Sequence, residues 1–115
     1  MRKTAIVTGG SSGIGRAAAA ELAGAGYTVY ELSRREPEEP VNGVKHIGAD
    51  VTDEEQVKSA FESIAAKEGS IDLLVCCAGT GISGALEFTK VSEARRQVDV
   101  NFFGTYISAK AVIPY

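Results

Sequence analysis

The eight residues Thr8-Gly9-Gly10-Ser11-Ser12-Gly13-Ile14-Gly15 constrain this chain more than any other stretch. They lie between a short apolar run, Thr4 to Thr8, and an alanine-rich helical pattern, Ile14 to Ala25. Gly9, Gly13 and Gly15 therefore sit at a switch from strand to helix. Glycine permits the tight turn and removes the Cβ atoms that would hold a ligand away from the backbone. A helix that begins near Gly13 offers free amides and the positive end of its dipole. Such a terminus accepts a phosphate group. Ser11 and Ser12 add hydroxyl donors.

The rest of the chain repeats the strand–helix alternation. Apolar runs occur at Thr4 to Thr8, Thr28 to Leu32, Val44 to Ile47 and Ile71 to Cys76. They are continuous rather than alternating, as strands buried on both faces require. Helical patterns cover Ile14 to Ala25, ended by Gly26, and Asp53 to Lys67, ended by Gly69. Thr52 with Glu55 reads as a capping box for the second helix. A third helix is expected from Val91 to Val112, broken near Asn101 to Gly104 and ended by Pro114. Arg34 to Gly43, with Pro37 and Pro40, reads as a loop. This pattern predicts right-handed βαβ units in an α/β fold with a doubly wound parallel sheet of order 3-2-1-4. At 115 residues the chain is expected to form one domain, 1–115.

Two phosphate-binding designs compete for the glycine turn. Gly10 to Arg16 approximates a P-loop, but Arg16-Ala17 stands where that loop needs lysine and a hydroxyl residue. The spacing of Thr8, Gly9, Gly13 and Gly15 is instead similar to the Thr-Gly-x-x-x-Gly-x-Gly fingerprint of the short-chain dehydrogenase/reductase family. Asp50-Val51 resembles the adenine-contacting Asp-Val pair of that family. Cys77-Ala78-Gly79 resembles the end of its Asn-Asn-Ala-Gly motif, although Cys76-Cys77 stands where two asparagines are usual. Asn101, with Val100, Gly104 and Pro114, is similar to the helix that carries its active-site asparagine. The resemblance implies a Rossmann-like dinucleotide domain, truncated after about four strands and equivalent to the first half of such an enzyme. It implies cofactor contacts at Thr8, Gly9, Ser11, Ser12, Gly13, Ile14, Gly15, Ser33, Arg34, Asp50, Val51, Cys77, Ala78 and Gly79, and a catalytic role for Asn101. A kink residue that bonds the backbone is a second, compatible role for Asn101.

Ser33-Arg34-Arg35 bears on which nicotinamide cofactor fits. An NAD site wants a carboxylate at the end of the second strand. Ser33 stands there, followed by arginines able to fork onto an extra phosphate. NADP is therefore expected over NAD, with Glu31 pointing to the opposite side. Solvated loop charges are the plainer reading of Arg34 and Arg35.

Hydride transfer to a carbonyl also needs a proton donor. Tyr106 and Lys110 have the Tyr-x-x-x-Lys spacing and share a helix face. They follow Asn101 too closely, with no strand and no serine between, so the spacing reads as coincidence. The chain is thus expected to be an NADP-dependent oxidoreductase of this family that lacks its Ser, Tyr and Lys, and to be inactive alone. The alternatives are a non-catalytic nucleotide-binding or self-associating module, and a small reductase using Tyr106 and Lys110.

The remaining expectations come from composition. A net charge of −3 gives no basic footprint for nucleic acid. No segment has the length of a membrane span. Thr4 to Val7 is too short for the apolar part of a signal peptide. Adjacent Cys76 and Cys77 suit reduced thiols in the cytoplasm. No metal site is expected. The partner is expected to be a small carbonyl or alcohol. A homo-oligomer is expected through an uncovered fourth strand or the helix face of Val98, Phe102, Tyr106, Ile107 and Val112. Gly81 to Phe88 is expected near the cleft, and His46 is given no role.

Overall fold

A computed structural model describes residues 2–81 and 84–115. Four strands carry the fold: β1 (Thr4–Thr8), β2 (Thr28–Ser33), β3 (Val44–Gly48) and β4 (Leu73–Cys76). They form a parallel sheet in the order β3-β2-β1-β4. The helices are α1 (Gly13–Gly24), α2 (Glu54–Glu68), α3 (Val91–Val98) and α4 (Gly104–Val112). A π-helical turn, Asp99–Phe103, joins α3 to α4, and a short 3₁₀ turn covers Leu86–Phe88.

Successive side chains of a strand point to opposite faces, and β1 uses both. Ala5 and Val7 pack with Ala19 of α1 and with Val29. Ile6 faces the other way, into Tyr30, Leu32, Ala49, Phe61 and Ile64, with α2 behind them. Ile107, Ala111 and Val112 of α4 close that second layer. Both faces of the sheet are covered, which explains why its strands read as continuous apolar runs.

Local signals set the ends. Gly26 and Gly69 hold φ of 97° and 93° just past α1 and α2, where a side chain would be strained. The cap of α2 lies one residue later than expected. Asp53 Oδ1 accepts the Gln56 amide at 3.2 Å, and Gln56 Nε2 returns a bond to Asp53 Oδ2 at 3.1 Å. The Thr52 hydroxyl donates instead to Asp50 Oδ1 at 2.7 Å. The fourth strand also starts two residues late. The Ile71 amide bonds the Tyr115 carbonyl at 3.3 Å and the Asp72 amide bonds the Thr4 carbonyl at 2.9 Å.

The expected exposed face of the last helix is partly corrected. Val98, Phe102 and Tyr106 are more than half exposed, but Ile107 and Val112 pack on the core. Phe103 and Ile113 are exposed in their place. Ile107 lies about two and a half helical turns from Val98, so the two fall on opposite faces of the helix, while Tyr106, just past the π turn, keeps the exposed side.

Tyr30 ties the second layer to the end of α2, its hydroxyl donating to Glu68 Oε2. Burial, then the bond to and the charge of Glu68, push its pKa from 10.0 up to about 12. The raised value means the protonated phenol stabilises the fold. That contribution is complete below pH 10 and disappears as pH rises through about 12. Urea melts should therefore show stability falling across that window. Tyr30→Phe should flatten the fall and cost about 1 kcal/mol at neutral pH.

Candidate functional site

In a doubly wound sheet the chain changes direction between two neighbouring strands, and a crevice opens beyond their carboxyl ends. Here those strands are β1 and β4. Three bonds hold their ends in place. The Cys77 amide donates to the Thr8 carbonyl at 3.0 Å. The Thr8 hydroxyl accepts the amides of Cys77 and Ala78 at 3.2 and 3.3 Å. The Gly9 amide reaches the other neighbour, donating to the Leu32 carbonyl at 2.7 Å. Thr8 is buried and does not line the opening. Its hydroxyl sets the width of the crevice.

The glycines have steric reasons that can be checked one by one. Gly9 has φ of 70°, and a Cβ there would lie 2.7 Å from both Cα and N of Ala78. A Cβ on Gly15 would run into the Gly9 carbonyl oxygen, and one on Gly79 would stand 3.0 Å from Asn101 Oδ1. The turn, the start of α1 and the end of β4 are in backbone contact. Ser12 precedes α1 as its cap residue but makes no side-chain cap bond. The first amides of α1 are thus left for another acceptor.

The cleft that results has a volume of about 610 Å³. Of the residues singled out from sequence, Gly9, Ser11, Ser12, Gly13, Ile14, Gly15, Ser33, Arg34, Asp50, Val51, Cys77, Ala78 and Gly79 all line it. Ile14 holds an apolar side chain there 83% exposed. Arg35, read from sequence together with Arg34, lines the cleft as well, and so do Thr80 and Arg96, which were not expected. Arg16, at the P-loop lysine position, turns away and binds the Glu39 carbonyl from its Nε at 3.2 Å.

Asp50 closes one end. Its Oδ1 accepts the Thr52 amide at 3.0 Å, and that bond, more than any other cause, holds its carboxyl below the ordinary value. Burial opposes the shift; the Thr52 hydroxyl, Arg34 and Arg96 assist it. Val51 is buried under Gly104, where a Cβ would stand 2.7 Å from Val51 Cγ2. Burial pushes the Cys76 thiol up from its ordinary value, against a bond from Thr8. Cys76 and Cys77 are both free thiols.

Glu31 does not point away from Ser33. Residues two apart in a strand share a face, and Ser33 Oγ lies 3.4 Å from Glu31 Oε2. The Glu31 carboxylate is 1% exposed and pairs with Nδ1 of His46, its directly opposed neighbour on β3. His46 therefore has a partner and a role: it covers the buried acid at the end of β2. The other oxygen, Glu31 Oε1, is buried without a hydrogen-bond partner among the described residues.

Asn101 sits in the π turn and grips one residue of the β4 loop from both sides. Its Oδ1 accepts the Thr80 amide and its Nδ2 donates to the Thr80 carbonyl, each at 2.7 Å. Tyr106 and Lys110 do not line the cleft. Lys110 Nζ pairs with Glu54 of α2 at 3.3 Å. Of Gly81 to Phe88, Ile82 and Ser83 lie outside the described residues, and neither Gly81 nor residues 84–88 line the cleft. Among the described residues no group of acidic, histidine and cysteine side chains could hold a metal, and no helix is long and apolar enough to cross a membrane.

The same architecture occurs in known proteins. The chain is 41% identical over 110 residues to a 3-ketodihydrosphingosine reductase of Bacteroides thetaiotaomicron, covering 96% of this chain and 40% of that protein. It is 34% identical to carbonyl reductase family member 4 of Danio rerio, covering 98% of this chain and 51% of that one. The solved aldohexose dehydrogenase of Thermoplasma acidophilum superposes with a TM-score of 0.93 at 43% identity, covering 99% of this chain and 44% of its own. ElxO with NADP bound superposes with a TM-score of 0.88 at 31% identity, covering 99% and 50%. The chain thus spans roughly half the length of these relatives or less. The sequence model for short chain dehydrogenases matches residues 3–115, and the chain, a Rossmann-like doubly wound sheet with its crevice at the β1–β4 switch, belongs to that family.

Proposed function

We propose that this chain is the cofactor-binding half of an NADP-dependent oxidoreductase that interconverts a carbonyl compound and its alcohol. The observation that carries the reading is the crevice at the ends of β1 and β4. Its backbone is bare of Cβ atoms at Gly9 and Gly15, and its amides at the start of α1 are uncapped. Two phosphates fit such a place. The exposed apolar side chain of Ile14 is what a flat cofactor ring would cover.

Preference for NADP rests on charge. Arg34 and Arg35 line the cleft beyond β2, and a guanidinium can bind a phosphate through two parallel bonds. The nearby carboxylate that would favour NAD is Glu31, which is buried and engaged by His46. ElxO, solved with NADP bound, is a similar fold. Bound NADPH supplies a hydride to a carbonyl carbon. The residues of this chain would hold its pyrophosphate at Gly9 to Gly15, its adenosine end at Ser33, Arg34, Asp50 and Val51, and its nearer ribose at Cys77, Ala78 and Gly79. Asn101 acts as a positioning residue, fixing the Thr80 peptide beside that last group. The related proteins act on substrates as different as a sphingoid ketone and an aldohexose, so only the carbonyl or alcohol class is carried over.

The proton donor is a separate matter. Lys110 is paired with Glu54, and neither it nor Tyr106 borders the cleft. These 115 residues are therefore expected to bind NADP(H) without turnover. Free thiols at Cys76 and Cys77 support a reducing, cytoplasmic setting. The alternative, a non-catalytic or self-associating module, is favoured by the apolar side chains of Val98, Phe102, Phe103 and Tyr106, all at least 46% exposed. Those side chains also support a homo-oligomer.

The test is a titration of the chain with NADP and NAD by calorimetry, alongside NADPH oxidation over a panel of carbonyl compounds. Arg34→Ala should weaken NADP about tenfold and NAD less than about twofold, with NADPH oxidation at background throughout. Equal affinity for the two cofactors, unchanged in Arg34→Ala, would remove the NADP reading. Turnover abolished by Tyr106→Phe would assign the chemistry to the last helix instead.

A further inference from the structure

A further cation, supplied by α3, lines the same cleft. Arg96 stands in the last turn of α3 and lines the same opening as Arg34 and Arg35. Three arginines and one carboxylate, Asp50, are the charged residues of that lining, in a chain whose net charge is −3. Positive charge is concentrated at this opening against the balance of the whole molecule.

The cations elsewhere that reach neighbours do so plainly: Arg16 pairs with Glu39 and Lys110 with Glu54. Among the described residues no carboxylate lies within ion-pair distance of Arg34, Arg35 or Arg96. Asp50 feels both Arg34 and Arg96, which help to hold its carboxyl ionised. Its Oδ1 is already occupied by the amide and hydroxyl of Thr52. The two guanidinium groups therefore act on Asp50 from β2 and from α3 without being consumed by it, and both keep their donors for a ligand.

Resting on the NADP reading above, we propose that Arg96 is a second specificity-determining residue, which binds the additional phosphate on the adenosine ribose from α3 while Arg34 binds it from the end of β2. A phosphate monoester carries up to two charges and three acceptor oxygens, so two guanidinium groups can engage it together. NAD lacks that phosphate and gives Arg96 nothing to hold. The neighbouring residue supplies an internal control. Arg95 has the same charge and is one position away, but it lines only the neighbouring apolar groove, which Arg96 also borders.

The experiment measures NADP and NAD affinities of the 115-residue chain in Arg96→Ala, Arg96→Gln, Arg95→Ala and Arg34→Ala. Arg96 is exposed, so thermal melts should match the unaltered chain. Both Arg96 variants should weaken NADP about tenfold while NAD changes less than about twofold. Raising salt should weaken NADP binding less steeply in the variants than in the parent chain. Arg95→Ala should leave both affinities unchanged. NADP affinity within about twofold of the parent in both Arg96 variants would overturn the proposal, as would equal losses for NADP and NAD. The failure would be of Arg96 alone if the parent chain still prefers NADP and Arg34→Ala removes that preference. If the parent chain shows no preference, the cofactor reading itself has failed and the role of Arg96 falls with it.

Discussion

Valine at Gly9 should abolish NADP binding and lower the stability of the chain by about 3 kcal/mol. Two separate effects add. Gly9 holds φ of 70°, a region that costs a residue with a Cβ roughly 1–2 kcal/mol. The new Cβ would also meet the backbone of Ala78 at 2.7 Å and the Cys77 carbonyl carbon at 2.9 Å. Those are main-chain atoms held by Thr8, so relief means pulling β4 from β1. Overpacking of this kind typically costs about 1–3 kcal/mol. Melts in denaturant measure the first effect and cofactor titration the second. A Gly9→Val chain that binds NADP within tenfold of the parent would show that the crevice is not the site.

Phe61→Ala should be at least as destabilising, by about 3–5 kcal/mol, and yet leave the site able to bind. Phe61 is 0% exposed and is the largest of the fully buried side chains. It lies between α2 and the sheet, among Tyr30, Leu32 and Ala49. Its removal opens a cavity in the layer between α2 and the sheet, and leaves the backbone of the glycine turn unchanged. The melting midpoint should fall by roughly 10–20 °C. Saturating NADP, at about a hundred times its dissociation constant, should restore about 2.7 kcal/mol. Rescue by cofactor in Phe61→Ala and none in Gly9→Val distinguishes damage to the core from damage to the crevice. Equal rescue in both would contradict the assignment of Gly9.

Those two positions also mark what was legible in the sequence. Gly9 could be read because its need is local: a turn between an apolar run and a helical pattern demands glycine whatever surrounds it. The strand order followed from the same kind of local signal. Features decided by distant partners were harder. Thr52 and Asp53 both make good helix caps, and only the Asp50 carboxylate, which takes the Thr52 hydroxyl, decides between them. Glu31 and Ser33 share a face by simple alternation, so their proximity was readable. The pairing of Glu31 with His46 was not, because it depends on the register of β2 against β3. Arg96 reaches the cleft from α3, across more than half the chain in sequence from Arg34, and no spacing rule joins them. The break near Asn101 to Gly104 was readable and overlaps the π turn, but the packing of Ile107 and Val112 was not, because it depends on where the helix meets the core.

The bonds from Thr8 to the end of β4 have a kinetic consequence. The Thr8 hydroxyl and the Ala78 amide are separated by 70 positions. A growing chain that has not yet made Ala78 owns the complete glycine turn but no crevice, because one wall is missing. Contacts of such long range close late and slowly, since loop entropy must be overcome before they form. The crevice is therefore complete only once β4 has docked. On the proposed reading, a cofactor present during synthesis would find no complete crevice until β4 docks, and would then stabilise the newest contact in the fold.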